Sequence, residues 1–159
     1  MGRLGFRFGR CFRRSEDGQA AVEFGLGASV LMMVLIGMMK MCLAIYTYHY
    51  IAEAAREGTR YAMVRGSSCS KISSTLSGCP ASTDDIANYV KGLGYPGIVA
   101  SKMSVSTTYM TYPAGITTSS ADPGNVVALT VQYQFPLSIP FTTNKTYTMQ
   151  STSKMVISQ

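Results

Sequence analysis

From Phe24 to Met39 the chain runs 16 residues without a charged side chain, meets Lys40, and resumes with Met41, Cys42, Leu43, Ala44, Ile45 and Tyr46. Such a run leaves few choices, because roughly 20 apolar residues in a helix are what a bilayer's hydrocarbon layer asks for. Glu23 to Lys40 is 17 steps, about 25 Å at the helical rise, so the Lys40 ammonium can extend toward the far headgroups. The segment therefore reads as one membrane span over about residues 22–46. A cleaved secretory signal fits less well. The apolar stretch is longer than the usual ~7–15 residues, and the one A-x-A candidate, Ala52-Glu53-Ala54, lies beyond it in helical sequence.

The net charge of +6 looks like a hint of nucleic-acid binding until its placement is read. Arg3, Arg7, Arg10, Arg13 and Arg14 all fall in the first 14 residues. Without residues 1–18, 9 basic and 6 acidic side chains remain (14 − 5 and 8 − 2), with no dense basic run. That distribution argues against a nucleic-acid partner. The five arginines instead hold the N-terminus in the cytoplasm, so the chain after about residue 46 is expected outside it.

Of the four cysteines, Cys11 sits in the basic leader and Cys42 in the apolar run. Cys69 and Cys79 remain, closing a short loop rich in Ser and Gly, and are the expected disulfide in an oxidising compartment. Neither a CxxC pair nor a neighbouring His suits zinc, and no metal or other cofactor is expected.

Helical signals continue past the bilayer. Tyr46 to Val64 contains no Pro, and Tyr48, Ile51, Ala52, Ala55, Thr59 and Ala62 recur at spacings of three and four. Glu53 with Arg56 and Glu57 with Arg60 are i,i+3 pairs. A start near Ala20 and an end near Val64 give a helix of ~65 Å. A shorter helix is expected from a Ser82 or Thr83 cap through Asp84 and Asp85 to Lys91, ended by Gly92 and Gly94.

Three strands follow: Lys102 to Tyr112, a run alternating through Val127, Leu129, Val131, Tyr133 and Phe135, and Tyr147 to Ile157. Asp122-Pro123-Gly124-Asn125 supplies the turn before the second, and Pro136 and Pro140 bracket an extended edge after it. The expectation is an α+β protein: a leader over 1–18, a long helix over 19–65, and an extracytoplasmic domain over 66–159 with a three-stranded antiparallel sheet packed on the helices.

Where leader meets helix the sequence reads Arg13-Arg14-Ser15-Glu16-Asp17-Gly18-Gln19-Ala20-Ala21-Val22-Glu23-Phe24. This resembles a type IV prepilin processing site. The resemblance implies that a prepilin peptidase cuts between Gly18 and Gln19, making Glu23 the fifth residue of the mature chain with Phe24 beside it at the start of the apolar helix. Gly18 lets a protease approach the backbone closely. The amine freed at Gln19 is largely protonated at neutral pH, given a reference pKa of roughly 7.7–8.0. In the family account Glu23 pairs with that amine on a neighbouring subunit, setting register more than adding stability.

A second stretch, Ala52-Glu53-Ala54-Ala55-Arg56-Glu57-Gly58-Thr59-Arg60-Tyr61-Ala62, is similar to the AAREGARYA-type segment of TadE-like proteins of the tight-adherence (Flp) pilus system. Arg56, Glu57, Gly58, Arg60 and Tyr61 carry that likeness. Lys40 departs from it, since these proteins often carry an acidic residue there. Small major Flp pilins lack a domain of this size, which implies a minor pilin or pseudopilin acting in pilus assembly or priming for adhesion. The partners implied are the prepilin peptidase, other pilin or pseudopilin subunits, the assembly machinery of the inner membrane and the lipid bilayer.

No enzyme is expected. His49 is the sole histidine and lies between Tyr48 and Tyr50 at the membrane exit, and no nucleophile-elbow, P-loop or HExxH pattern occurs. The rival to an assembled pilin is a single-span protein whose outer domain binds a surface or ligand without entering a filament.

Overall fold

The computed structural model describes residues 13–72, 78–138 and 144–158, with the side chains of 13–17, 70 and 72 excepted. The residues before Arg13, among them Arg3, Arg7, Arg10 and Cys11, lie outside the described residues, as does Pro140. Helix α1 spans Arg13–Val64, 52 residues and about 78 Å at the helical rise. It begins seven residues before the expected Ala20, because nothing between Arg13 and Gly18 breaks a helix: there is no Pro, and Gly18 alone only weakens it.

After α1 come a short helix α2 (Cys69–Ile72) and α3 (Thr83–Gly92). A 3-10 turn (Ala100–Lys102) then leads into β1 (Met103–Met110), β2 (Thr117–Thr118), β3 (Val126–Leu137) and β4 (Lys145–Val156). The sheet is antiparallel with order β2-β1-β3-β4. It has four strands where three were expected. The extra one is two residues long and pairs only Tyr109 with Thr118 and Met110 with Thr117.

Alternation decides how β3 sits. Val127, Leu129, Val131, Tyr133 and Phe135 all point into the core, with Ile51, Ala54, Ala55, Ile86 and Val90 on the helical side. The opposite face is polar, and Thr130 faces Thr152 across the β3–β4 pair with hydroxyls 2.8 Å apart. Pro136, expected beyond the strand, is inside it. The β1–β3 register ends at Met103 opposite Tyr133, so beyond that point β3 pairs with β4 alone, where a residue lacking an N–H is tolerated.

Helix and sheet are matched in length over their shared part. Tyr147, near the start of β4, lines a cleft with Lys40, and Ser158, just past its end, donates its N–H to the Met63 carbonyl. Lys40 to Met63 covers about 34 Å of helix and Tyr147 to Ser158 about 36 Å of extended chain. The α1 residues buried there are Thr47, Tyr50, Ile51, Ala54, Ala55, Gly58, Thr59 and Ala62. Ile51, Ala55, Thr59 and Ala62 of the expected stripe are among them. Tyr48 is not: it is exposed, and Ala52 is only partly covered. The buried line is rotated toward the small residues, which let backbone and sheet come close.

Candidate functional site

From Gly18 to Leu35 every residue of α1 but the half-buried Ala28 is exposed among the described residues. Val22, Phe24, Leu26, Val30, Leu31 and Met32 are all exposed, Phe24 to 78%. Large apolar side chains left in the open along one continuous helix need an apolar surrounding outside the chain, and this helix is long and apolar enough to cross a membrane. Gly18, Gln19 and Glu23 lie on its exposed surface, and no heavy atom stands within 4 Å of a Cβ placed on Gly18. The Gly18–Gln19 bond is inside the helix rather than before it. Among the described residues no hydrogen bond or ion pair joins Gly18, Gln19 or Glu23 to another side chain.

The segment around Arg56 to Tyr61 is different: each of its residues has an intramolecular task. Arg56 pairs with Glu53 at 3.6 Å and Arg60 with Glu57 at 3.1 Å, both on the outer face of α1. Such exposed pairs add a few tenths of a kcal/mol each. Gly58 sits where helix, sheet and α3 converge. A Cβ there would stand 2.5 Å from Val90 Cγ2 and closer still to Leu129 Cδ2, so glycine alone fits without displacement.

Tyr61 stacks on Tyr89 of α3, ring centres 4.2 Å apart at 18°, and the Arg65 guanidinium lies 3.9 Å from the centre of the Tyr61 ring. Arg65 Nε is buried and has no hydrogen-bond acceptor among the described residues. The negative face of the Tyr61 ring offsets part of that cost.

Beyond α1 the chain is stapled. Cys69 and Cys79 form the expected disulfide, with Cα atoms 5.9 Å apart, and Ala81 N–H bonds back to the Arg65 carbonyl. Ser82 is the cap of α3. Its hydroxyl accepts from Asp85 N–H at 3.1 Å while the Asp85 carboxylate accepts from Ser82 N–H at 3.0 Å, a reciprocal capping box. The Ser82 side chain and backbone hold the Asp85 carboxyl below the usual aspartate value. Asp122, accepting from the Ser120 and Ser67 hydroxyls, is lowered in the same way.

Tyrosines gather on the flank of α1 nearer its apolar half. Tyr50 packs on Tyr95 with ring centres 4.4 Å apart, and the Tyr46 hydroxyl donates to the Pro96 carbonyl at 3.4 Å. Burial pushes the Tyr50 hydroxyl above its ordinary value, with Tyr95, Tyr46 and Tyr133 adding to the effect. His49 packs edge-on to Tyr48, and no group of three or more metal-ligating side chains occurs among the described residues. Nothing in this cluster pairs a nucleophile with a base.

A bare apolar half-helix followed, without a break, by a half-helix docked on a small α+β module makes α1 a candidate membrane-spanning helix that carries the module. The helix has a more particular likeness: residues 18–60 match the family model described as TadE-like protein. That stretch lies wholly inside α1, and the sheet lies outside it. No curated protein matches the chain, and no solved structure does.

Proposed function

We propose that this chain is a minor pilin or pseudopilin of a tight-adherence pilus system. In this reading it is anchored in the inner membrane by α1, carries its sheet outside the cytoplasm, and takes part in assembling or priming the pilus for surface adhesion. The observation that carries the reading is the coincidence of the TadE-like match, which starts at Gly18, with a half-helix left exposed among the described residues. A subunit destined to pass from bilayer to filament needs such a surface, covered first by lipid and then by neighbouring subunits.

The residues divide accordingly. A prepilin peptidase cuts after Gly18, removing the leader over 1–18. Because that bond is helical, the peptidase has to unwind it locally, and glycine makes unwinding about 1 kcal/mol easier than alanine would. Glu23 then meets the new amine of a neighbouring subunit, with Phe24 packing beside it. Gly58 and Tyr61 serve the assembly indirectly, by holding the outer domain at one angle to the helix, while Arg56, Glu57 and Arg60 support the helix itself through their i,i+3 pairs.

The span ends nearer Lys40 than residue 46 in this reading, because Ala44 and Thr47 already pack on the outer domain. Gln19 to Lys40 is 21 steps, about 32 Å, enough for the ~30 Å hydrocarbon layer.

The test is the N-terminus of the mature protein. Sequencing is expected to begin at Gln19, and Gly18→Ala to leave the chain uncut; a wild-type chain that keeps Met1 refutes processing. Co-purification with filaments or with the inner-membrane machinery tests assembly. A chain that is cut yet found with neither is the anchored binding protein instead, a reading the cleft-lined, tyrosine-rich flank of α1 favours.

A further inference from the structure

Lys40 stands between two clefts at the membrane-proximal end of the outer domain. One, of about 220 Å³, lies between Leu43, Tyr46 and the Pro96–Val99 turn and is lined by Lys102 as well as Lys40. The other, of about 390 Å³, has Lys40 on its rim and an apolar wall of Met41, Ala44, Phe135, Leu137, Tyr147 and Met149. None of the residues lining either cleft is acidic.

We propose that this paired site holds an anionic phospholipid of the leaflet facing the outer domain, its phosphate between the Lys40 and Lys102 ammoniums and its acyl chain against the apolar wall. The proposal rests on the reading that α1 crosses the bilayer and leaves it near Lys40.

Three observations carry it. First, the depth agrees with that span: about 32 Å of helix between Gln19 and Lys40 would place the ammonium at headgroup level and Gly37, on the same cleft, at the edge of hydrocarbon. Second, charge is segregated along the domain. Lys145, opposite Leu137 at the start of β4, adds a third cation to this end.

The carboxylates of the outer domain lie elsewhere. Asp84 and Asp85 open α3 just after Ala81, which bonds to Arg65, and Asp122 bonds to Ser67, so all three sit past the far end of α1. Glu53 is the first acid along α1 beyond Lys40, 13 residues on and about 20 Å away; Arg56 already pairs with it. At a screening length of about 8 Å in physiological salt, it does not cancel the field at Lys40.

Third, the occupant has to be amphiphilic. A basic cleft and an apolar cleft sharing one lysine match a phosphate joined to a hydrocarbon chain, and a free anion would leave the apolar wall wet. Plain snorkelling of Lys40 accounts for neither Lys102 nor that wall.

The test uses the full chain in detergent, with bound lipid counted by native mass spectrometry after adding phosphatidylglycerol or phosphatidylcholine. Wild type is expected to retain phosphatidylglycerol preferentially. The preference should fall about five-fold for each of Lys40→Gln and Lys102→Gln, as expected of lysines at an anionic surface. Lys154→Gln, on β4 at the far end of the sheet, should leave it unchanged.

Equal retention of the two lipids by wild type, or an unchanged preference in the double variant, overturns the proposal. Displacement of phosphatidylglycerol by excess inorganic phosphate overturns the lipid as occupant. Amine labelling of wild type gives a readout free of any folding defect in the variants: phosphatidylglycerol, and not phosphatidylcholine, should shield Lys40 and Lys102 while Lys154 stays reactive, and uniform labelling refutes the site. Alkaline carbonate extraction separates the two readings. A chain released from membranes sinks the span itself, whereas a retained chain without lipid preference sinks only the lysine site.

Discussion

Adding one methyl group at Gly58 tests whether the TadE-like segment is a packing device. The Cβ of Gly58→Ala would stand 2.5 Å from Val90 Cγ2 and overlap Leu129 Cδ2. Both neighbours are fully buried, Val90 on α3 and Leu129 on β3, so neither retreats without moving its element. Overpacking of this kind costs about 1–3 kcal/mol, while replacing a mid-helix glycine by alanine returns about 1 kcal/mol. With two contacts far inside van der Waals distance and both neighbours buried, the clash falls in the upper part of that range, about 2–3 kcal/mol, and leaves a net loss of about 1–2 kcal/mol.

For a domain of this size that loss lowers Tm by about 5–10 °C, readable as the near-ultraviolet tyrosine dichroism of the full chain in detergent. Gly92→Ala is the control. It sits at the end of α3 with open space around its Cβ, and should be neutral or slightly stabilising. A double-mutant cycle sharpens the test: Leu129→Ala alone should cost about 2–5 kcal/mol, and combined with Gly58→Ala it should cost less than the sum, since the new methyl enters the space Leu129 vacates. A Gly58→Ala chain as stable as wild type, or additive behaviour in the cycle, would refute the close approach.

Reducing the Cys69–Cys79 bridge, which spans a sequence separation of 10, should cost roughly 2.7 kcal/mol from loop-closure entropy; melts with and without reductant check it, and an unchanged Tm would mean the loop is held by other contacts. Ser82→Ala removes the α3 cap and should cost about 1 kcal/mol, with amide exchange speeding first at Asp84 and Asp85. The Asp85 and Asp122 carboxyls are lowered on folding. Their contribution is therefore present above the unfolded value near ~3.9 and is lost as pH falls through the folded values. Thermal melts from about pH 7 down to about pH 3 should steepen below ~4, and Asp122→Asn should flatten part of that slope; an unchanged profile contradicts the Ser67 and Ser120 bonds as the cause.

What could be read from residues alone follows from how local each signal is. The long apolar helix was legible because 16 uncharged residues in a row admit few other fates, and β3 because five alternating apolar positions admit one buried face. Ser82 and the cysteine pair were legible because caps and loop closure depend on short spacings. β2 was missed: two threonines carry no period. The docking face of α1 was placed too close to Tyr48, since hydrophobicity favours tyrosine while the actual contact selects Ala54 and Gly58 for smallness. Gly58 was recognised as part of a likeness without its cause, which needed Leu129 and Val90, 71 and 32 residues away in sequence, brought to the same point. The roles proposed for Gly18, Gln19 and Glu23 depend on surfaces of other molecules, and no fold of a single chain displays them.

The equal lengths of β4 and the docked half of α1 also have a mechanical meaning. A tug on the buried end of α1, directed along its axis, is opposed by contacts running from Phe135 and Tyr147 at one end to Met63 with Ser158 at the other. Loaded this way, the contacts slide in shear and must yield together, whereas a sideways pull would peel them one at a time. Gly58 adds a notch into which Leu129 and Val90 fit, which adds resistance to sliding along the helix axis.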